Sequence, residues 1–364
     1  FTKYVNANRD RFLAELRDLC GQPSIAAQGI GLEETASLIE QRLKTLGAQV
    51  QRFVIDGSPP LLYAELGQGE KTMLIYNHYD VQPPDPLDEW DSPPFEPEVR
   101  DGRFYARGVA DDKGDLLCRL QAIEAYQASL GPLPLRIKFI IEGEEEVGSP
   151  HLDAFAEQHP DLLEADGCLW ETGNKDVARR MVLTLGVMGI CYVELTVETA
   201  VRDLHSAWGG IIPNAAWRLV WALNTLKDDD DHILVDGLMD QVRPPTEEEL
   251  AGLASLPFDE DQEREGMGFS DYVRGLSGQD LLVKHFYEPT CTICGLKSGY
   301  IEEGVKTVLP YSATAKVDFR LVPDLTPGLV VELLRAHLDR RGFEDIGVAL
   351  KGGLMPARSP LDAP

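Results

Sequence analysis

Up to about residue 185, helical periodicity alternates with short β-branched runs, and several of the apolar runs stop at a histidine or a carboxylate. The alternation calls for a sheet with helices on both faces. Residues 2–19, 33–47 and 115–129 read as helices, and 49–54, 61–66, 73–77 and 135–142 as strands, with Gly and Pro at the joins. Past Gly186-Val187-Met188-Gly189 the order becomes strand (191–198), helix (214–226), two strands (291–300 and 313–322), helix (327–341) and strand (346–350). This β-α-β-β-α-β order is a split ferredoxin-like unit. The expected fold is therefore α/β: a mixed-sheet domain over 1–185, an inserted ferredoxin-like domain over 186–352, and a return over 353–364. Gly352-Gly353-Leu354-Met355-Pro356 reads as the linker out of the insert.

A chain of 364 residues is long enough for about two domains. Its 61 acids against 34 bases give a net charge of −27, which repels phosphate backbones and anionic lipid and argues against nucleic acid and membrane partners. No apolar run approaches the ~18 residues needed to cross a bilayer. Phe1-Thr2-Lys3-Tyr4-Val5 lacks the marks of a secretory leader, although a start at Phe1 leaves room for one already removed. Cys291 and Cys294 have CxxC spacing but sit in a strand pattern, whereas redox pairs open a helix. The six cysteines are expected to be reduced thiols in a cytoplasmic protein. The acid-rich stretch 228–265, with Asp228-Asp229-Asp230-Asp231, is expected to be a solvated, partly mobile loop.

The HExxH helix, the GxSxG elbow, the phosphate-cradling P-loop and the GxGxxG turn are all absent. What remains is a set of polar groups at strand ends, where open α/β sheets bind ligands. The strand Met73-Leu74-Ile75-Tyr76-Asn77 runs into His78-Tyr79-Asp80, which places Asp80 to orient the His78 imidazole. Asp111-Asp112-Lys113-Gly114 precedes a helix: one aspartate suits an N-cap, and the pair suits a carboxylate shared by two cations. Phe139-Ile140-Ile141-Glu142-Gly143-Glu144-Glu145-Glu146 crowds like charges, which cations or solvent must relieve. Glu145 and Glu146 diverge, so one can bind metal while the other faces substrate as a base. Glu171 ends Gly167-Cys168-Leu169-Trp170, and His205 lies in a loop of the insert.

In this order and spacing the segments resemble the aminoacylase, carnosinase and succinyl-diaminopimelate desuccinylase family of dinuclear metallopeptidases. The stretch from His78-Tyr79-Asp80-Val81-Gln82-Pro83 through Asp111-Asp112-Lys113-Gly114 to Glu145-Glu146-Val147-Gly148-Ser149 is most similar to the carnosinase-like dipeptidase branch. The resemblance implies two divalent metal ions, zinc first and manganese or cobalt as alternatives. His78, Asp111 and Glu171 would hold one ion. Asp111, Glu146 and a second histidine would hold the other. It further implies Glu145 as general base, with Asp80 beside His78, and His205 as a lid histidine that stabilises the oxyanion in the partner subunit. Arg320 would grip the substrate carboxylate; its plain alternative is a surface salt bridge. A cis bond from Asp111 to Asp112 is expected. The implied enzyme is a cytoplasmic homodimer, joined through the lid, that hydrolyses dipeptides or short peptides bearing a free carboxylate.

The family's second metal histidine falls beyond Pro364, and His337, inside a lid helix, cannot replace it. The chain as given therefore reads as a fragment with one metal site weakened or empty. An N-acyl-amino-acid deacylase of the same fold and a catalytically silent binding or dimerisation homologue are the competing readings.

Overall fold

The computed structural model describes residues 1–171, 173–175 and 179–361, and for Asn174 the backbone alone. The chain divides into two compact units, Phe1–Leu183 and a second beginning at Thr184.

The first unit opens with α1 (Thr2–Ala7) and α2 (Arg9–Gly21). A single helix is the sequence expectation over this stretch. It is broken at Asn8, whose side chain donates to the Tyr4 carbonyl, a local bond that competes with helix propagation. Next come α3 (Leu32–Thr45), β1 (Gln49–Phe53), β2 (Leu61–Leu66), β3 (Thr72–His78), α4 (Lys113–Leu130), β4 (Arg136–Glu142), α5 (Leu152–Gln158) and β5 (Gly167–Leu169). The sheet order is β1-β2-β4-β3-β5; the first two pairings are antiparallel, while β3 runs parallel to both β4 and β5. Strand alternation sorts the side chains onto two faces. Leu62, Ala64, Ile75, Phe139 and Ile141 pack with Ile39 and Leu43 of α3 and Leu116 and Leu120 of α4. On the opposite face Leu61, Tyr63, Leu74, Tyr76 and Ile140 pack with Phe155 of α5. Helices thus cover both faces of a mixed sheet.

The second unit carries β6 (Gly189–Glu198), α6 (Ala215–Leu223), β7 (Thr292–Ser298), β8 (Ser312–Leu321), α7 (Pro327–Arg340) and β9 (Gly347–Leu354). The sheet order β7-β8-β6-β9 is antiparallel throughout, the ferredoxin-like arrangement. Alternate residues of β6 and β8 meet Leu219 and Ala222 of α6 and Val330, Leu334 and Leu338 of α7 in one core. Two local expectations differ from the structure. The last strand continues through Gly352-Gly353-Leu354, paired with Ile190, Cys191 and Tyr192, because backbone hydrogen bonds to β6 do not need side chains. The acidic stretch holds two short helices, Glu247–Ala254 and Glu260–Met267. The first starts at a capping box in which Thr246 and Glu249 satisfy each other's backbone N–H. Thr246→Ala is expected to cost about 1 kcal/mol, read as a lowered urea midpoint with an unchanged m-value.

Candidate metal centre

The polar cluster lies beyond the C-terminal ends of the three parallel strands. His78 ends β3 directly opposite Glu142 at the end of β4, and Glu171 follows β5 by two residues. Asp111 and Asp112 precede α4, and the peptide bond between them is cis, as expected. This loop is drawn tight. A Cβ on Gly114 would come within 2.0 Å of the Val109 carbonyl oxygen, so no larger residue fits there.

The His78 side chain is fully buried. Its Nδ1 lies 3.1 Å from the Asp80 carbonyl oxygen and 3.3 Å from Asp80 Oδ1. Its Nε2 faces three carboxylates: Asp111 Oδ1 at 2.9 Å, Glu171 Oε2 at 3.4 Å and Glu145 Oε2 at 3.9 Å. Asp80, also buried, accepts the backbone N–H groups of Glu145 and Glu146 at 3.2 and 3.0 Å. Asp80 therefore meets the imidazole through its backbone carbonyl, with its carboxylate close by, and anchors with that carboxylate the turn that carries both glutamates.

Asp112 stands at the N-cap position of α4, yet its side chain makes no capping bond. It turns inward, where Oδ2 accepts from Asn77 Nδ2 at 2.6 Å and from the His78 backbone N–H at 3.1 Å. Lys113 is buried with it and donates to the carbonyls of Leu19 and Gln22 at the end of α2. Burial lowers its pKa to about 8.

The electrostatics of the cluster favour a cation. Burial alone would lower the His78 pKa, but the hydrogen bond and charge of Asp80, with Glu171 and Asp112, raise it to about 10. Burial pushes Glu171 up to about 8 against the pull of His78, and Glu145, Asp112 and Asp111 add to the rise. Burial raises Glu145 as well. Among the described residues, Glu171 Oε2 and Asp112 Oδ1 are buried oxygens with no hydrogen bond. His78, Asp112 and Glu171 bring one donor atom each within 4.8 Å of one another. Imidazole nitrogen with carboxylate oxygens suits zinc, manganese or cobalt. The donor set and the unbonded oxygens thus fit a divalent ion.

The remaining candidate residues are placed differently. Glu146 turns its carboxylate to Gln82 Nε2, which donates to it at 2.8 Å. In the second unit, His205 is exposed; its Nδ1 accepts from the Ala207 N–H, and Nε2 lies 3.3 Å from Thr307 Oγ1. The Arg320 guanidinium is half-exposed and 3.6 Å from Asp318, too long for a hydrogen bond. His337 is buried in α7, with Nδ1 accepting from the Asp236 N–H and Nε2 2.9 Å from the Thr225 carbonyl. Asn77 and the inward turn of Asp112 escape sequence reasoning; the one available signal is a polar Asn77 inside an otherwise apolar strand.

Residues 74–342 match the family described as Peptidase family M20/M25/M40, a span that includes every residue around His78. The chain belongs to peptidase family M20/M25/M40. It is 30% identical to the Beta-Ala-His dipeptidase of Rattus norvegicus, over 97% of this chain and 77% of that protein. Identity to the Cys-Gly metallodipeptidase dug1 of Schizosaccharomyces pombe is 31%, over 92% of this chain and 74% of the relative. Among solved structures, the M20 family metallo-carboxypeptidase Sso-CP2 from Sulfolobus solfataricus superposes with a TM-score of 0.83 at 36% identity. That match covers 96% of this chain and 80% of the other. As a member of the M20/M25/M40 family this chain is a peptidase, and its catalysis is metal-dependent.

Proposed function

We propose that the chain hydrolyses dipeptides and short peptides bearing a free carboxylate, at a centre of two divalent ions. The observation that carries this reading is the convergence of Asp111, Glu145 and Glu171 on the Nε2 side of one buried imidazole. His78, Asp111 and Glu171 would hold one ion, and Asp111 and Glu146 would contribute to the second. Zinc is the first choice, with manganese or cobalt accepted by the same donors. Asp111 is preferred to Asp112 as the shared ligand because one Asp112 oxygen is already engaged by two N–H groups. Two dications against three carboxylates and a hydroxide leave a nearly neutral site, which removes the cost of clustering the acids.

When bound, the ions polarise the scissile carbonyl and lower the pKa of water. Glu145 takes a proton from the attacking water and passes it to the leaving amine. Its burial raises its proton affinity, the direction that helps a group that both accepts and donates a proton. Asp80 fixes the imidazole so that Nε2 keeps its lone pair for a cation. By the same resemblance, His205 would stabilise the oxyanion in the partner subunit, and the Arg320 fork would take a substrate carboxylate in a bidentate grip.

Residues 1–185 then form the catalytic part and 186–352 the lid and dimerisation part, with 353–364 leading out of it. Exposed, stacked Trp217 and Trp221 on α6, beside half-exposed Val220, support a homodimer through the second unit. Six unpaired cysteines support a cytoplasmic location. Among the described residues no helix is long and apolar enough to cross a membrane.

A substrate panel on the zinc-loaded protein tests the reading. Dipeptides with a free carboxylate are expected to exceed both their amidated forms and N-acyl amino acids by about tenfold or more in kcat/KM. Faster acyl-amino-acid cleavage would reassign the chain as a deacylase. Absence of both turnover and metal uptake would make it a binding homologue.

A further inference from the structure

The ladder between β3 and β5 stops at Ile75 and Leu169, short of both His78 and Glu171. Something other than sheet pairing must hold these two groups in register. We propose that Arg119 is the positioning residue that does so; the inference rests on the metal-site reading above.

Arg119 projects from α4 between the two segments. Its Nη1 donates to the Tyr76 carbonyl and to Asn77 Oδ1, both at 2.9 Å, and its Nη2 donates to the Trp170 carbonyl. The bond to Oδ1 fixes the Asn77 amide, so that Nδ2 meets Asp112. One helical turn earlier, Asp115 accepts the backbone N–H of Gly173. The pair Asp115 and Arg119 therefore holds the carbonyl just before Glu171 and an N–H two residues after it. The Trp170 ring stacks on Tyr76 with centroids 4.0 Å apart, and Tyr76 is itself tied to Glu142 at 2.6 Å. A planar fork with several donors can serve all three acceptors, whereas a lysine ammonium on a flexible stem cannot match that geometry. Helix packing does not depend on this side chain, because Leu116, Leu117, Leu120 and Ile123 seat α4 on the sheet. Arg119 thus aims a ligand-bearing segment at the imidazole without touching either reacting atom or ion.

The test compares the wild-type chain with R119Q, R119K and E171Q by chelator-competed zinc titration and by the visible absorption of the cobalt(II) form. R119Q is expected to bind zinc about 10- to 100-fold more weakly and to change the cobalt band shape, with far-UV circular dichroism and metal-free melting close to wild type. R119K is expected to recover only part of the affinity. Wild-type zinc affinity and cobalt spectrum in R119Q would overturn the proposal. Should R119Q fail to fold, R119K decides, since wild-type affinity there would overturn the role of the fork. E171Q separates the two levels of inference: if it binds zinc as tightly as wild type, the metal-site reading fails. If it loses zinc while R119Q does not, the role of Arg119 alone fails.

Discussion

Glu145→Gln is expected to lower kcat by about 10²- to 10⁴-fold while the protein keeps its metal. The amide preserves shape and hydrogen bonding but cannot take a proton from water, so only the acid–base step is lost. Glu145 Oε2 is the most distant of the three carboxylate oxygens from Nε2, at 3.9 Å, as suits a group that faces substrate and not the ion. Its backbone N–H is held by Asp80 whatever its side chain, so the turn and Glu146 stay in place. Metal analysis alongside steady-state kinetics gives the check. Equal loss of metal and turnover would mean that Glu145 is a ligand and that Glu146 takes the role of base.

Binding of zinc to the metal-free protein at pH 7 is expected to release about two protons. His78, raised to about 10, and Glu171, raised to about 8, both carry a proton at neutral pH when no ion is present. Both must give it up to become ligands. Apparent affinity should therefore climb about 100-fold per pH unit below pH 8, about tenfold between 8 and 10, and level off above. Calorimetry in buffers of different ionisation enthalpy counts the protons directly. The corresponding loss is acid inactivation: as pH falls, protons displace the ion and turnover ends before the fold does. A pH-independent affinity would show that the ion sits away from His78 and Glu171.

The backbone of this arrangement was legible because it is written locally. His78 and Glu171 stand at or just after the ends of apolar strands, Glu145 follows one closely, and Asp111 stands two residues before a helix, patterns visible within ten residues. The supporting contacts were not legible for the opposite reason. Asp112 meets the His78 N–H across 34 residues, and Arg119 reaches Asn77 and Trp170 across 42 and 51. Helical periodicity tells which face Arg119 shares with Asp115 but not what that face meets. Elsewhere a local signal was present and outweighed. Thr246-Glu247-Glu248-Glu249 is a helix start, yet the density of charge around it suggested a loop. Gly352-Gly353 suggested a linker, although glycines can close a sheet edge through their backbone alone.

The shared anchor at Asp80 has a mechanical consequence. The imidazole, which faces Asp80 through Nδ1, and the Glu145–Glu146 turn, which the Asp80 carboxylate holds, are thus tied to one buried residue. In the proposed mechanism, the distance between Glu145 and an ion at His78 would then be set through one side chain, so a substitution at Asp80 would disturb ligand and base together.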